Sequence, residues 1–307
     1  MGEEGAGSLA PMHADRLARV RAAMAEQRVD ACLLSVGPDL PWLIGYEAMP
    51  LERLTMLVVP RDGVATLVVP GLEVPRVEVR DDVFRIRPWG ETDDPVAIVA
   101  ELLGAAQTAA IGNRTWAQFL VALQRARPST RFGTTSEIIG PLRGVKDPHE
   151  IDALRRAAAA VDRIAAELQA GRIPLVGRTE AEVSADLGRR ILAEGHQRVN
   201  FAIVAAGHVG TPAETVDAAA RDIITDAGYG EWFVHRTGHG IGVEEHEDPY
   251  IVTGNRSPLV VGNAYSVEPG IYLPGRFGFR LEDIVITAEH GPDALNRADH
   301  RLVSVDA

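Results

Sequence analysis

The chain has 307 residues, of which 46% are hydrophobic and 24% charged, a balance that predicts a soluble globular protein of two domains and excludes a disordered one. Its net charge of −12 argues against a nucleic-acid backbone or an anionic membrane as partner, and no apolar run reaches the length that crosses a bilayer. Cys32 is the only cysteine, so no internal disulfide can form; a reducing cytoplasm is expected, with Cys32 as a small core residue of an apolar run.

In chain order, "MGEEGAGSLAPMH" has no apolar core and, with Ala6 where Ser or Thr is wanted, no myristoylation pattern, so it reads as a frayed tail. Asp15 to Arg28 has helical periodicity and precedes a strand, "ACLLS". "LTMLVVP-RDG-VATLVVP" reads as a hairpin turning near Asp62 and Gly63. A strand "FRIRPW", a helix over 95–106, a strand "TAAIG" and a helix over 115–126 follow. "IIGPLRGVKDPHE" reads as a linker, with Asp147 capping a helix that starts at Pro148 and ends at Gly171. The domains are therefore expected at 13–140 and 151–307, with 141–150 between them.

An internal repeat comes next. Gly177 to Gly195 and Gly210 to Gly228 both run eighteen steps from Gly to Gly. Val183 matches Val216, Leu187 matches Ala220 and Ile191 matches Ile224. Each copy reads as an amphipathic helix followed by a strand-like run, "VNFAIVA" and "EWFVH". Two copies are too few for a solenoid and predict a domain of two related halves with a site at their junction.

Beyond the repeat, "HRTGHGIGVEEHEDPY" places three of the nine histidines, His235, His239 and His246, within twelve residues and among several glycines. Glycines there predict a place where backbone comes close to something else. Then "NAYSVEPGIYLPGRFGFRLEDIVIT" reads as a second hairpin. If it is centred on Gly275, Glu268 stands opposite Glu282, with Cβ atoms about 5 Å apart. Two carboxylates that close cannot both ionise freely. They can share a proton, be neutralised by Arg276 or Arg280, or take a cation between them, with His239 as a nitrogen ligand. A mixed carboxylate and imidazole set suits Mn, Co, Fe or Zn better than Ca or Mg.

"GHGIG", "HEDP", "SVEPGIY" and "RLEDIVIT", in that order, resemble the pita-bread metallopeptidases, which include methionine aminopeptidases, Xaa-Pro aminopeptidases and Xaa-Pro dipeptidases. The first half, with "DLPWLIGY" and "LRGVKDPHEIDALRRA", is similar to the creatinase/prolidase N-terminal domain and favours the Xaa-Pro branch. The implied architecture is α/β, of the α+β kind: a creatinase-like N-terminal α/β domain and a truncated pita-bread C-terminal domain. The resemblance implies that His239, Glu268 and Glu282 are metal ligands. It implies that His246 contacts the substrate and the tetrahedral intermediate, that His235 lines the substrate pocket and that Arg280 holds a ligating carboxylate. Glu268 also aligns with the glutamate that shuttles the proton to the leaving amine.

One departure stands out. The family's site uses two further aspartates, on strands between the repeated halves, and here "VNFAIVA" passes through "AGHVG" directly into the second repeat helix. The gap is expected near 205. His208 reads as lead-in to that helix and is not taken as a site residue; Asp217 and Asp222 read as solvated helix residues. The family uses two divalent transition metals (Mn, Co or Zn), and at most one is expected here. The expected function is thus a Xaa-Pro peptidase-like metallohydrolase, impaired by the loss of two ligands, acting on short proline-containing peptides as a homodimer. The alternatives are a non-catalytic peptide- or partner-binding relative and a creatinase-like amidinohydrolase, the latter disfavoured by Glu268 and Glu282. His13, His149, His196, His290 and His300 are expected at the surface. Glu244 to Asp248, His246 apart, is expected on a solvated rim, and Trp42 and Tyr46 in the core or a dimer contact.

Overall fold

The computed structural model describes residues 10–174, 178, 180–195 and 210–300. It divides into two compact units, Met1–Arg143 and Gly144–Ala307.

The first unit is a twisted mixed sheet covered by helices. Helix α1 (Ala10–Glu26) leads into β1 (Ala31–Ser35), all five of whose residues are buried. Helix α2 (Asp39–Ile44) follows, then β2 (Met56–Pro60) and β3 (Ala65–Pro70). These two pair antiparallel, Met56 against Val68, so the hairpin turns at Asp62 as its sequence indicates. Then come β4 (Phe84–Trp89), α3 (Pro95–Leu102), β5 (Thr108–Ile111), α4 (Ala117–Ala126) and β6 (Arg131–Thr134), giving the order β4-β3-β2-β1-β5-β6. Asp94 caps α3 by accepting from the amides of Val96 and Ala97, just before Pro95 at its first position. The core gathers Leu33, Met56, Val58, Val68, Val99 and Leu123. Cys32 is fully buried there, and burial pushes its thiol up to about 12, so it packs as an inert apolar group.

Two expectations in this unit change. Gly140 and Pro141, read as linker, lie inside helix α5 (Ser136–Gly144). Pro141 is the sixth of its nine residues, past the first turn, so it removes one intrahelical N–H from this short helix. His13, expected at the surface, is 3% exposed: its Nδ1 donates to the carbonyl of Leu43 at 3.1 Å. Burial first, then the charges of Arg80 and Arg16, lowers its pKa. Trp42 and Tyr46 are core residues, at 1% and 4% exposure.

The second unit begins with α6 (Pro148–Gln169). Asp147 and Glu150 form a reciprocal capping box at its start, and Gly171, at φ 69°, follows its end. The repeat helices are α7 (Glu180–Ala193) and α8 (Ala213–Asp226). "EWFVH" is not a strand: Gly230–Trp232 forms a 3-10 turn that bends the chain towards "HRTGHG". "VNFAIVA", His196, His208 and the expected gap near 205 lie outside the described residues.

The main sheet has the order β13-β12-β9-β7-β8, all antiparallel. Its strands are β7 (Gly238–Gly240), β8 (Glu247–Ile251), β9 (Ala264–Val267), β12 (Asp283–Ala288) and β13 (Gly291–Ala294). Between β9 and β12 a separate ribbon projects, β10 (Gly270–Leu273) paired with β11 (Phe277–Arg280). Side chains alternate across the sheet with period two. Tyr265, Val267 and Val285 join Val216 of α8 in one core cluster, while Ala264, Ile284 and Ile286 join Ala158 and Leu154 of α6 in another. The sheet is thus clamped between two helices. Among the described residues, no helix is long and apolar enough to cross a membrane.

Candidate functional site

The glycines of "GHGIG" answer to backbone. A Cβ on Gly238 would lie 1.9 Å from the carbonyl oxygen of Ser266, and one on Gly240 would lie 2.2 Å from that of Asp248. Only residues without a side chain let β7 run this close to both neighbours. His239 between them is 5% exposed; its amide donates to Ser266 Oγ at 3.1 Å and its Nδ1 to the Gly240 carbonyl at 3.1 Å.

The two glutamates are set by register. Val267 pairs with Asp283 in the β9–β12 ladder, and Gly270 pairs with Arg280 in the β10–β11 ladder. Counting inward from either ladder places Glu268 opposite Glu282, and the ribbon is centred on Gly275. The main-chain bond from Leu281 to Pro269, at 3.4 Å, continues the same register between them.

Glu268 is 6% exposed and held on every side. Its Oε1 lies 3.0 Å from His239 Nε2 and accepts from Ser266 Oγ at 3.2 Å, while its Oε2 accepts from Arg280 Nη1 at 2.9 Å. Burial would raise its pKa, but the His239 hydrogen bond and the charges of His239 and Arg280 outweigh burial and lower it. Glu282 is the opposite case. Its Oε2 is buried with no hydrogen-bond partner. Burial, then the Glu268 charge, pushes its carboxyl up to about 8. The pair therefore divides the roles: Glu268 ionised and paired, Glu282 protonated. Arg280 supplies the neutralising charge; Arg276 makes no ion pair among the described residues.

His246 stacks edge-on against His239, ring centroids 4.0 Å apart. Its pKa is lowered by burial, then by His239 and Arg236. His235 donates from Nδ1 to the Arg236 carbonyl at 2.7 Å, and its Nε2 lies 3.2 Å from the Tyr272 hydroxyl. His235, His246, Glu268 and Arg280 line one cavity of about 410 Å³, together with Arg236, Tyr250 and Val252.

Two residues that sequence reasoning placed elsewhere support this site. Asp217, read as solvated, is 0% exposed; the helix face it occupies packs inward, beside Val216 and Ala213. Its carboxylate receives Arg221, the Thr237 amide at 3.1 Å and the Thr253 hydroxyl at 2.7 Å. Arg221 in turn donates to the carbonyls of Phe233 and His235. The four-residue spacing of Asp217 and Arg221 on one helix was the available signal. Glu247, assigned to the rim, is instead buried at 8% exposure and pairs at 2.5 Å with Lys146, whose side chain is fully buried. Its other oxygen receives the Glu244 amide at 3.5 Å, which shapes the loop carrying His246. Asp222 is exposed as expected, as are His149, His290 and His300.

These donors do not fit a resident metal as they stand. Among the described residues, no three His, Cys, Asp or Glu side chains gather as a group that could hold one. Glu268 gives one oxygen to His239 and Ser266 and the other to Arg280, so a cation would have to displace those partners. Among the described residues, Glu282 keeps one buried oxygen without a hydrogen-bond partner.

Comparison with known proteins gives the setting. Residues 199–289 match the metallopeptidase family M24, and residues 16–145 match the creatinase/prolidase N-terminal domain. The probable dipeptidase PepE of Mycobacterium tuberculosis is 37% identical, over 96% of this chain and 97% of its own. That alignment spans 368 positions while 96% of this chain is about 295 residues, so about 70 positions face a gap here. The Xaa-Pro dipeptidase of Lactobacillus helveticus is 29% identical over 89% of this chain and 94% of its own. Among solved structures, the dipeptidase PepE of Mycobacterium ulcerans superposes with a TM-score of 0.86 at 36% identity, covering 96% of this chain and 98% of that one. A prolidase of Thermococcus sibiricus does so at 0.84 and 26% identity, covering 94% and 98%. Two domain matches in order, near-complete coverage and a shared fold place this chain in the M24 metallopeptidase family, with a creatinase/prolidase N-terminal domain.

Proposed function

We propose that this chain takes short proline-containing peptides into the His235–His246–Arg280 cavity, as a Xaa-Pro dipeptidase-like member of its family, and that hydrolysis there is impaired. Relatives named as dipeptidases and prolidases support the substrate class. The observation that carries the impairment is Glu268, whose two oxygens are bound by His239 and Arg280 rather than turned to a shared cation. A bound metal in this family lowers the pKa of water and supplies the attacking hydroxide. Here the chain's own groups do less. His246 faces the cavity as a hydrogen-bond donor for a peptide carbonyl, His235 lines it with its ring N–H already given to the Arg236 carbonyl, and one buried oxygen of Glu282 has no hydrogen-bond partner. The same pairing favours, as second reading, a relative that binds peptides without cleaving them.

The test is metal analysis after dialysis against Mn or Co, with proline release from a Xaa-Pro dipeptide measured alongside. We expect at most one ion per chain, weakly held, lost in Glu282→Gln and retained in His208→Ala. Proline release should be absent or far below that of a complete relative. Two ions per chain with robust release would overturn the proposal. We place the protein in the cytoplasm as a homodimer, to be checked by fractionation and light scattering.

A further inference from the structure

Two basic side chains tie helix α1 to the end of α2. His13 Nδ1 donates to the Leu43 carbonyl at 3.1 Å. Arg16 Nη1 donates to the Trp42 carbonyl at 2.6 Å, and its guanidinium lies 5.0 Å over the Trp42 ring. A carbonyl only accepts, so Nδ1 carries the ring proton and Nε2 is the nitrogen left to take a second one. That nitrogen faces a cation. A Cβ on Gly45 would lie 3.4 Å from His13 Nε2 and 3.4 Å from Arg80 Nη2, so the two nitrogens are no more than twice that distance apart. Arg80 is itself buried just before β4, and among the described residues its Nε has no hydrogen-bond partner. Arg80 and Arg16 oppose ionisation of His13, and Glu78 favours it. Glu78 already holds Arg80 at 2.7 Å and is 62% exposed, so water screens its help. From α2, the Leu43 carbonyl favours the charged ring, but Arg16 occupies the same end of that helix. Asp39, at the other end of α2, is paired with Arg143 at 3.1 Å.

We propose that His13 is an acid-sensitive latch of the first unit: neutral, it docks the start of α1 on α2, and on taking a proton at Nε2 it releases it. A proton there puts a third positive charge beside Arg80 and Arg16, in a buried place where only an exposed and already paired carboxylate answers it. The ring is 3% exposed, so it cannot reach water without giving up the Leu43 bond. The charge is relieved by leaving, and the start of α1 leaves with it; the apolar hold of Leu17, Val20 and Met24 begins one turn further along. Burial and the two arginines keep the folded pKa of His13 below its unfolded value of about 6.5. The stability that the latch supplies is therefore complete above about pH 6.5 and is lost as pH falls from there towards the folded value. The device involves the first unit alone and is independent of the function proposed for the cavity of the second.

The test is amide exchange of the full chain, read over α1 at about pH 7.5 and about pH 5.5 and corrected for the intrinsic exchange rate. One pH unit below the unfolded value, linkage allows a loss of protection of up to about tenfold, and a severalfold loss is expected in the wild type. His13→Asn keeps a side-chain N–H for the Leu43 carbonyl and cannot ionise, so its α1 should be protected alike at both pH values. Arg80→Gln should shrink the wild-type loss, because it removes the cation that faces Nε2. The His13 ring itself, followed by proton NMR in the wild type, should titrate below about 6.5, which keeps the idea testable even if His13→Asn fails to fold. Equal protection of wild-type α1 at both pH values would overturn the proposal. So would a loss that persists in folded His13→Asn, or a His13 ring that titrates at or above about 6.5. A loss unchanged by Arg80→Gln would overturn the part given to Arg80.

Discussion

The carboxylate of Asp217 accepts the backbone N–H of Thr237 at 3.1 Å, two residues before His239. A buried helix side chain thereby sets where the glycine-histidine strand enters the sheet. Burial alone would raise the pKa of Asp217, but hydrogen bonds from Arg221, Thr237 and Thr253 outweigh it and hold it at about 2. An acid whose folded pKa lies below its unfolded value of about 3.9 adds stability above that value and loses it as pH falls towards 2. Urea unfolding followed from pH 5 to pH 2 should show this loss in the wild type and a flatter profile in Asp217→Asn. At neutral pH, Asp217→Ala should cost about 3–5 kcal/mol, because it strands Arg221 and the Thr237 amide. A cost below about 1 kcal/mol would remove Asp217 from the support of the site.

Lys146 and Glu247 form a second buried support. Lys146→Ala alone should destabilise by about 3–5 kcal/mol by leaving a buried carboxylate without its cation. Pairing Lys146→Met with Glu247→Gln should recover a large part of that cost, since both charges then disappear together. A double-mutant cycle by denaturant unfolding measures the coupling; additive losses would show that the two residues act separately.

Gly238 and Gly240 should tolerate no side chain. Their added Cβ atoms would meet backbone carbonyl oxygens at 1.9 and 2.2 Å, so relief requires moving whole strands. Gly238→Ala and Gly240→Ala should each yield a second unit that fails to form its sheet, read by near-ultraviolet circular dichroism and amide exchange. Gly275→Asn is the contrast. Gly275 has φ 72° with nothing within 4 Å, a conformation Asn adopts at small cost, so that variant should fold.

Much of this was legible in the sequence because it depends on local chemistry. Continuous apolar runs located β1 to β3 and an alternating one β4, Asp147 with Glu150 marked the start of α6, and the symmetry of residues about Gly275 gave the register that opposes Glu268 and Glu282. The meaning of the glycines around His239 was legible too, though not which carbonyls they meet. What escaped depends on facing. The four-residue spacing of Asp217 and Arg221 marks a pair, but that this pair turns inward follows from α8 packing on β9 and β12. Glu247 lies in an acidic run, and only the strand pairing of β8 brings it to Lys146, 101 residues away in sequence. "EWFVH" has strand composition, but its position over Arg221 favours a turn. Helix α5 was hidden by Gly140 and Pro141, which usually punctuate and here sit in the middle of a short helix.

The register shared by the two ladders around Glu268 and Glu282 makes the ribbon tip a natural point for grafting. Since β9 and β12 lock the pairing from below, Pro274 to Arg276 can be exchanged for a foreign epitope or a fluorescent label without carrying the carboxylates out of alignment. A reporter placed there would sit two residues along one strand from Tyr272 and four along the other from Arg280, close enough for its emission to register a guest entering the neighbouring cavity.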